Sequence, residues 1–409
     1  MRRIAWVLLL VFVFTIPWEY SLVLPAPFGN VARIAGLLVL LAAVPAVLQA
    51  GQLRTPEPIQ WLVLALYLWF CCTYFWTIDP FATLEKMRGY FQVMMIVWLM
   101  WEFAESPRDL RTLLRAWVAG SWILALLTLA NFASPQAIAA SQIRFAATGQ
   151  DPNDVARFLD LGFPLSALLL TSERGWAARL LALGYLPLGF IAVLLTASRG
   201  GFLAALVAMI GCAILLGRGH AKRALAAVLA LPVVIAGIWT ALPHGTLARL
   251  VTIPAEIEGG NLNQRLNIWS AGWSAFAQAP IFGTGAGSFV QAAHLARIAT
   301  AHNTMLTVAV GGGLCALLLA AAIVALAARA VLLTRGALRL ALGTALAVWA
   351  ITSMVATVEE SRTTWLLLGA IALADRLAIE APERLDACFP PWPGSPQPFA
   401  DGKLAMLPE

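Results

Sequence analysis

The chain has 409 residues, of which 61% are hydrophobic and only 12% are charged. Water-soluble domains contain about 45–50% apolar residues, so this composition excludes a soluble globular protein and indicates a chain that lies in lipid. The formal net charge of +6 comes mainly from basic residues between apolar segments, which is a signal of membrane topology and not of nucleic-acid binding. The five cysteines show neither a disulfide framework nor the spacing of a zinc site.

About twelve apolar segments follow one another along the chain and are predicted to span the membrane. A helix needs about 20 apolar residues to cross the ~30 Å hydrocarbon core. The segments are 4–24, 34–48, 59–76, 90–103, 113–132, 154–170, 177–196, 202–216, 224–242, 304–328, 338–355 and 363–379. The sequence therefore predicts an all-α, polytopic membrane helix bundle, with the first nine spans in residues 1–242 and the last three in residues 304–380.

The positions of the basic residues predict the orientation of the bundle, because short connections rich in Lys and Arg stay in the cytoplasm. If the N-terminus is inside, the connections that carry Arg2, Arg54, Arg111, Arg174 and Arg335 are all cytoplasmic. Both termini are then cytoplasmic, and a second set of basic residues lies at the outer face. This outer set is Arg33, Lys86, Arg88, Arg144, Arg157, Arg199, Arg249, Arg265, Arg297 and Arg362.

A long outer loop, residues 243–303, separates the ninth and tenth predicted spans. In its middle, apolar residues recur at the spacing of an amphipathic helix. They are Leu262, Leu266, Trp269, Trp273 and Phe276. An earlier piece, residues 247–257, has a weaker apolar face and is expected to lie in the membrane interface. Residues 381–409 are rich in proline and are predicted to be a flexible cytoplasmic tail.

Two glycine clusters occur near the end of the loop and in the tenth span. Residues 283–287 contain three glycines, but they follow no strand and lack a Walker lysine, which excludes nucleotide binding. We expect a flexible turn there that lets the loop fold back over a site. The three glycines at 311–313 indicate close helix approach or a hinge.

Three residues at the outer ends of apolar helices are the main candidates for a functional site: Arg199, Arg265 and His302. A charged or titratable group is costly in such a position and often functional. Taken alone, Arg199 is equally well explained as an interfacial anchor, and a surface or structural role explains Arg265 and His302 better. Guanidinium groups bind phosphate oxygens bidentately, and a histidine accepts a hydroxyl proton near neutral pH. Together they predict a diphosphate site, with Arg199 and Arg265 as ligands and His302 as the catalytic base.

Further candidates lie at the same face. Lys86 and Arg88 would add positive charge, and headgroup anchoring explains them at least as well. Glu359 and Glu360, before the last span, are alternatives to His302 as the base. The supporting polar candidates, at the starts of the sixth and tenth predicted spans, are Asp151, Asn153 and Asn303. We predict no metal site and no cofactor.

Five short motifs occur together with this pattern of spans. They are RLNIW at 265–269, APIFGTG at 279–285, AHNT at 301–304, GQDPN at 149–153 and SRG at 198–200. In these motifs, and in nearly the whole span pattern, the chain resembles the bacterial O-antigen ligase and O-antigen polymerase superfamily. Members are membrane glycosyltransferases with a large periplasmic loop late in the sequence.

The resemblance implies a GT-C-like fold in the bacterial inner membrane, with the active site facing the periplasm. It implies an inverting, metal-independent transfer of a glycan from undecaprenyl diphosphate to an acceptor hydroxyl. Arg199 and Arg265 would hold the diphosphate, and His302 would activate or orient the hydroxyl. A ligase of lipopolysaccharide biosynthesis uses lipid A core as the acceptor, and a polysaccharide polymerase uses a second lipid-linked glycan. The sequence favours the ligase slightly.

Two other classes of protein stay open as alternatives. A transporter or flippase for lipid-linked sugars would also have many spans and a few arginines in the membrane, but transporters usually place charge near the bilayer midplane. Here the unusual charges lie at the outer face with a structured loop above them, which favours an enzyme. A purely structural membrane partner would leave the loop unexplained.

Overall fold

The structure, a computed structural model, describes residues 1–25, 29–217, 237, 242–254, 259–260, 264–296 and 300–391. Its helices, numbered in chain order, are α1 (Arg2–Thr15), α2 (Val31–Ala50), α3 (Pro58–Cys72), α4 (Pro80–Phe103), α5 (Pro107–Phe132), α6 (Pro135–Ala139), α7 (Pro152–Ser172), α8 (Trp176–Leu195), α9 (Arg199–Gly217), α10 (His244–Val251), α11 (Arg265–Gln278), α12 (Phe289–Ala292), α13 (Thr304–Leu333), α14 (Gly336–Ser353), α15 (Arg362–Glu380) and α16 (Pro382–Cys388). The remaining elements are two 3-10 helices, Ile16–Ser21 and Thr73–Phe75, and one antiparallel pair of strands, β1 (Val23–Leu24) and β2 (Gly29–Asn30).

The all-α membrane fold predicted from the sequence is confirmed. Among the described residues, nine helices are long and apolar enough to cross a membrane. Two further predicted spans, 90–103 and 363–379, lie in α4 and α15, which are helical and carry more charged residues. The predicted span 224–242 lies outside the described residues, except for Gly237 and Leu242.

Helix α4 begins at Pro80, well before the start predicted from the apolar pattern. Asp79 caps the helix, because its Oδ1 accepts a hydrogen bond from Ala82 N at 3.0 Å, and proline is favoured in a first helical turn. The apolar pattern does not reach these turns because Glu85 and Lys86 interrupt it. Lys86 lies in the additional turns of α4, residues 80–89, at the end of the bundle.

Helices α7 and α15 lie at the centre of the bundle and are buried along most of their length. Helix α7 packs against α5, α8, α9 and α14, while α15 packs against α4 and α13. Close packing around α7 depends on Gly162, since a Cβ atom there would lie 2.4 Å from the Tyr185 hydroxyl. That hydroxyl donates a hydrogen bond to Leu159 O at 2.7 Å.

Charged residues collect at the two opposite ends of the bundle. At the N-terminal end, Arg2 of α1 pairs with Glu102 of α4 at 3.0 Å. At the other end, Arg362 of α15 pairs with Glu19. We call it the loop end because it contains the described parts of the long loop, residues 242–254, 259–260, 264–296 and 300–303. Arg2 and Arg362, one from each predicted set of basic residues, thus lie at opposite ends. Which end faces the cytoplasm stays a prediction.

Helix α13 is interrupted at Gly313, whose φ of 66° is left-handed. Residues 280–285 of the loop fill the interruption with backbone hydrogen bonds. These are Thr284 N to Val310 O, Gly285 N to Gly311 O, Leu314 N to Pro280 O and Cys315 N to Ile281 O, at 2.9, 3.0, 2.8 and 3.4 Å. Unpaired backbone groups are very costly in lipid, so a helix break there needs such partners. We call this contact the α13 junction.

The glycine cluster at 283–287 is packed, in contrast to the flexible turn expected from the sequence. A Cβ atom at Gly283 would lie only 2.5 Å from Gly313 N. Ala286 N donates a hydrogen bond to Thr73 Oγ1 at 3.0 Å, which ties the cluster to the connection between α3 and α4. Glycine is needed here because two backbones approach closely, and not because the turn must move.

The C-terminal segment begins with helix α16, where the proline content had predicted a flexible tail from residue 381. Leu385, Cys388 and Phe389 are buried, and Cys388 Sγ donates a hydrogen bond to Pro107 O at 3.3 Å. The apolar residues of this segment therefore pack on the bundle. Residues 392–409 lie outside the described part of the chain.

Replacement of Gly313 by Ala tests the α13 junction. The new Cβ atom would lie 2.2 Å from Ile281 O. The φ of 66° and ψ of −165° at Gly313 lie in a backbone region that is nearly exclusive to glycine and costs another residue about 1–3 kcal/mol, so we expect a loss of at least about 2 kcal/mol in stability. Thermal unfolding of the purified protein in detergent measures it. Gly343→Ala is the control, since its nearest Cβ contact is an ordinary 3.4 Å. Equal Tm values for the two variants would contradict the role of the junction.

Candidate active site at the loop end

The connection between α8 and α9 forms one wall of the candidate site. It turns at Ala197, which has a left-handed φ of 49°. Asn153, at the start of α7, is tied to this turn because its Oδ1 accepts hydrogen bonds from Ser198 Oγ at 2.9 Å and from Arg144 Nη2 at 2.8 Å. The starts of α7 and α9 are thereby held side by side.

Arg199, the first residue of α9, binds the first helix of the loop. Its Nε donates to Arg249 O at 3.2 Å, and its Nη2 donates to Thr252 Oγ1 at 2.6 Å. Arg249 Nε donates in turn to Ala197 O at 3.2 Å. These reciprocal hydrogen bonds hold α10 above the connection between α8 and α9, and they bring two guanidinium groups to the same place.

Helix α11 places Arg265 beside the start of α13. Trp269, one turn after Arg265, donates from Nε1 to Ala301 O at 2.9 Å. Gly272 lets the two helices approach, since a Cβ atom there would lie 2.8 Å from Leu306 Cδ2. The helix predicted in the middle of the loop is therefore present, and its packing holds Arg265 close to the residues that precede α13.

His302 lies just before α13 and has a left-handed φ of 47°. Its half-buried ring places Nε2 at 3.1 Å from Thr300 Oγ1. Asn303, a predicted supporting residue, caps α13 because its Oδ1 accepts a hydrogen bond from Leu306 N at 3.0 Å. Residues in sparsely populated backbone conformations persist only where the surroundings hold them, and they are common at functional sites.

The guanidinium groups of Arg144, Arg199, Arg249 and Arg265 form what we call the arginine cluster. Burial lowers the pKa of both Arg144 and Arg265, and repulsion from Arg199 and Arg249 lowers it further, while Asp151 acts in the opposite direction. A guanidinium group in general loses its proton only far above physiological pH. The cluster is therefore a region of positive potential that suits an anion.

His302 lies within electrostatic reach of this cluster. Burial lowers the pKa of its imidazole below the ordinary value of 6.5, and the Arg265 guanidinium lowers it further, while Asp151 and Asp154 oppose the shift. The neutral ring, which can accept a proton, therefore predominates at neutral pH. Arg265 thus interacts electrostatically with both Arg199 and His302, and the chemical roles of the three residues stay predictions.

Lys86 and Arg88 lie apart from the arginine cluster. The Nζ atom of Lys86 pairs with Glu359 Oε1 at 3.4 Å and with Glu360 Oε2 at 2.5 Å. Arg88 is exposed on the same helix. Lys86 therefore belongs to a second charged group at the loop end, where carboxylates offset its charge.

Arg144 and Arg249 belong to the cluster, although the sequence had not indicated them as site residues. Both stand in the predicted outer set of basic residues, but neither lies at the end of an apolar span, which was the criterion for Arg199. Asp151, a predicted supporting residue, caps α7 through a hydrogen bond from Asn153 N to its Oδ1 at 2.8 Å. Two features of the sequence could have indicated them: Arg144 lies just before the GQDPN motif, and Arg249 lies in the first helix of the loop.

Helix α7 contains two buried charged residues, Arg157 of the predicted outer set and Asp160, and Asp160 shows that the unusual charges are not confined to the outer face as expected. Arg157 is 5% exposed, pairs with Asp154 Oδ1 at 3.2 Å and lies over the Phe158 ring at 4.9 Å. Asp160 is fully buried, and neither of its carboxyl oxygens has a hydrogen-bond partner among the described residues. The position of unusual charge alone therefore separates an enzyme from a transporter less clearly than the sequence suggested.

The fold and the site define a polytopic membrane protein with a cluster of arginines at one end of its helix bundle. Residues 184–321, about a third of the chain, match the family model described as O-antigen ligase. This match confirms the predicted resemblance to the O-antigen ligase and polymerase superfamily. A search of curated proteins gives no match.

Replacement of Arg265 by Gln tests the electrostatic link to His302. The Arg265 guanidinium lowers the pKa of His302, so its removal should raise that pKa towards the ordinary value, and the ring should become neutral at a higher pH. NMR titration of the histidine ring resonances measures this shift. Arg179→Gln, on the exposed surface of α8, is the control. An unchanged His302 pKa in the Arg265 variant would show that the two groups do not interact.

Proposed function

We propose that this protein is a glycosyltransferase of the O-antigen ligase type, which moves a glycan from undecaprenyl diphosphate to an acceptor hydroxyl. The observation that carries the proposal is the arginine cluster beside the half-buried His302. The family match supports it independently, because residues 184–321 include Arg199, Arg249, Arg265 and His302.

The donor diphosphate is proposed to lie against Arg199 and Arg265. Both residues stand at the first turn of a helix, α9 and α11, at the loop end of the bundle. A carrier with its hydrocarbon tail in the membrane presents its diphosphate at the membrane surface, which is where these groups lie in the proposed orientation. Guanidinium groups bind phosphate oxygens in pairs and keep their charge at any physiological pH.

In the proposed mechanism, His302 accepts the proton of the acceptor hydroxyl as that oxygen attacks the anomeric carbon. The bond between the anomeric carbon and the diphosphate oxygen breaks, and its electron pair leaves with the diphosphate. Attack from the side opposite the leaving group inverts the anomeric configuration. The arginine cluster stabilises the charge that develops on the leaving diphosphate. All of these steps are assigned to side chains and substrates, without a cofactor.

We propose the bacterial inner membrane as the location, with the loop end in the periplasm and both termini in the cytoplasm. Basic residues of short connections stay in the cytoplasm. Arg2, Arg54 and Arg115 collect at the N-terminal end, where they pair with carboxylates of neighbouring helices. The arginine cluster at the loop end would then be explained by substrate binding and not by topology.

Reconstitution tests the proposal and separates its variants. The protein is placed in vesicles with a glycan on undecaprenyl diphosphate and with either lipid A core or a second lipid-linked glycan. Transfer to lipid A core is the expected result and defines a ligase, while extension of the second glycan would define a polymerase. Movement of the intact donor across the vesicle membrane without a new glycosidic bond would overturn the proposal in favour of a flippase.

His302→Ala should fold normally and lower the rate of glycan transfer by roughly 100- to 10,000-fold, the usual contribution of a general base. The reconstituted reaction measures the rate, and thermal unfolding checks the fold. His294→Ala is a matched control, because His294 lies in the same loop, is exposed and also has a left-handed φ, of 52°. Turnover near that of the unmodified protein would remove His302 from the mechanism.

Arg199→Lys and Arg265→Lys should each lower transfer at least roughly tenfold, since an ammonium group cannot reproduce the paired hydrogen bonds of a guanidinium. The loss should appear with either acceptor, because it concerns the donor. Arg179→Lys, at the exposed surface of α8, controls for the exchange of side chain. Full activity with lysine at both positions would reduce the two arginines to membrane anchors.

A further inference from the structure

A groove with a volume of about 960 Å³ opens between α9 and the last turn of α13. Helix α14, which packs against both helices, forms its third side. Since α9 and α13 begin at the loop end, with Arg199 and Thr304, their last turns lie at the opposite, N-terminal end of the bundle. We call this space the N-terminal groove. None of the residues that line it belongs to the candidate active site.

The lining of the N-terminal groove is mainly apolar. The apolar residues include Val207, Ile210, Ile214, Val331, Leu332 and Leu340. Ile210, Ile214 and Leu332 are 42%, 41% and 60% exposed, although all three are aliphatic. Helices α9, α13 and α14 are each long and apolar enough to cross a membrane. In a membrane these side chains therefore face hydrocarbon chains.

The length of the groove corresponds to one leaflet of a bilayer. On α14 the lining extends from Arg339 to Ala347, which is about 12 Å at the rise of an α-helix. On α9 it extends from Val207 to Ile214, which is about 10 Å. One leaflet contributes about 15 Å, half of the ~30 Å hydrocarbon core. The groove therefore accommodates most of an acyl chain that belongs to a single leaflet.

Two arginines lie where the groove reaches the N-terminal end. Arg335 precedes α14 and is half-buried, and Arg339, one turn later, is exposed. Among the described residues, neither guanidinium group has an ion-pair or hydrogen-bond partner, and the lining contains no Asp or Glu. Arg2, Arg54 and Arg115, at the same end of the bundle, are instead paired with carboxylates. The groove therefore combines an apolar wall with unmatched positive charge.

This combination selects one kind of lipid head group. Side chains one helical turn apart are neighbours, so both guanidinium groups can bind the same phosphate. A zwitterionic phospholipid would also bring an ammonium group beside the two arginines, where no carboxylate of the lining pairs with it. The charge of the site is therefore complementary to a phospholipid with a net negative charge.

We propose that the N-terminal groove binds one anionic glycerophospholipid of the bilayer, with an acyl chain in the groove and the phosphate between Arg335 and Arg339. The inference is independent of the proposed glycan transfer. In the proposed orientation, the groove lies in the cytoplasmic leaflet, whose anionic lipids attract basic residues near the membrane surface. The bound lipid would stabilise the contact between α9, α13 and α14.

Labelling with a photoreactive lipid tests the site in the unmodified protein. The full chain is reconstituted in phosphatidylcholine vesicles that contain phosphatidylglycerol with a diazirine in one acyl chain, and labelled residues are mapped by mass spectrometry. We expect labelling of Ile214, which lines the groove, that excess unmodified phosphatidylglycerol displaces. Leu216 is the matched control, because it lies two residues later on α9, outside the lining, and is 39% exposed against 41% for Ile214. Equal labelling of the two residues, or no labelling in the groove, would overturn the proposal.

A charge variant tests the two arginines. Arg335→Gln combined with Arg339→Gln should weaken the apparent affinity for the photoreactive phosphatidylglycerol roughly 30-fold, since each basic residue near an anionic lipid contributes about fivefold. Arg174→Gln combined with Arg179→Gln is the control, because both residues are exposed near the start of α8, at the same end of the bundle. An equal loss in the two double variants would reduce the effect to general attraction by charge and overturn the proposal, as would an unchanged affinity in the first.

A steric variant tests the groove without a change of charge. Ala347→Phe should fill the inner part of the groove and weaken phosphatidylglycerol binding roughly tenfold. Because a ligand of the folded state raises Tm, the variant should also show a smaller rise in Tm when phosphatidylglycerol is added in detergent. Ala350→Phe is the control, since Ala350 is also exposed on α14 but does not line the groove. The Tm without added lipid checks the fold, and equal rises in the two variants would contradict binding in the groove.

Discussion

The α13 junction is the contact on which the loop end depends. Lipid offers no hydrogen-bond partners, so the interruption of α13 at Gly313 persists only because residues 280–285 supply the missing donors and acceptors. The same contact fixes the chain that follows α11, and α11 then packs on the start of α13, where Trp269 Nε1 donates to Ala301 O. The relative position of Arg265 and His302 is therefore set by the need to satisfy backbone groups at membrane depth.

Charge divides the loop end into two parts with different properties. The arginine cluster joins four guanidinium groups that repel one another, and repulsion of this kind contributes to the lowered pKa of Arg144 and Arg265. Elsewhere at the loop end, Lys86 and Arg362 are matched by carboxylates. One part attracts an anion, and the other offers hydrogen bonds without a strong field.

Much of the fold could be predicted from the sequence because a membrane-spanning helix is a continuous run of apolar residues, which local hydropathy detects. The spans whose residues are described are helical, including α4 and α15. The errors arise where charge or proline interrupts the apolar pattern. Helix α4 starts at Pro80 in spite of its charged first turns, and α16 is a packed helix where proline suggested a flexible tail. In both places packing against other helices outweighs the local pattern, and a pattern of single residues does not contain that information.

The sequence by itself determined the class of protein, the helical bundle, the long loop and the candidates Arg199, Arg265 and His302, because hydropathy and short motifs are local properties of the chain. Only the tertiary structure decided which residues meet. Arg144 and Arg249 join the cluster through hydrogen bonds to Thr196 O and Ala197 O, whereas Lys86 is drawn to Glu359 and Glu360. Such contacts depend on how distant segments of the chain pack, because the electrostatic energy of a charged side chain is set by residues that are close in space but distant in sequence.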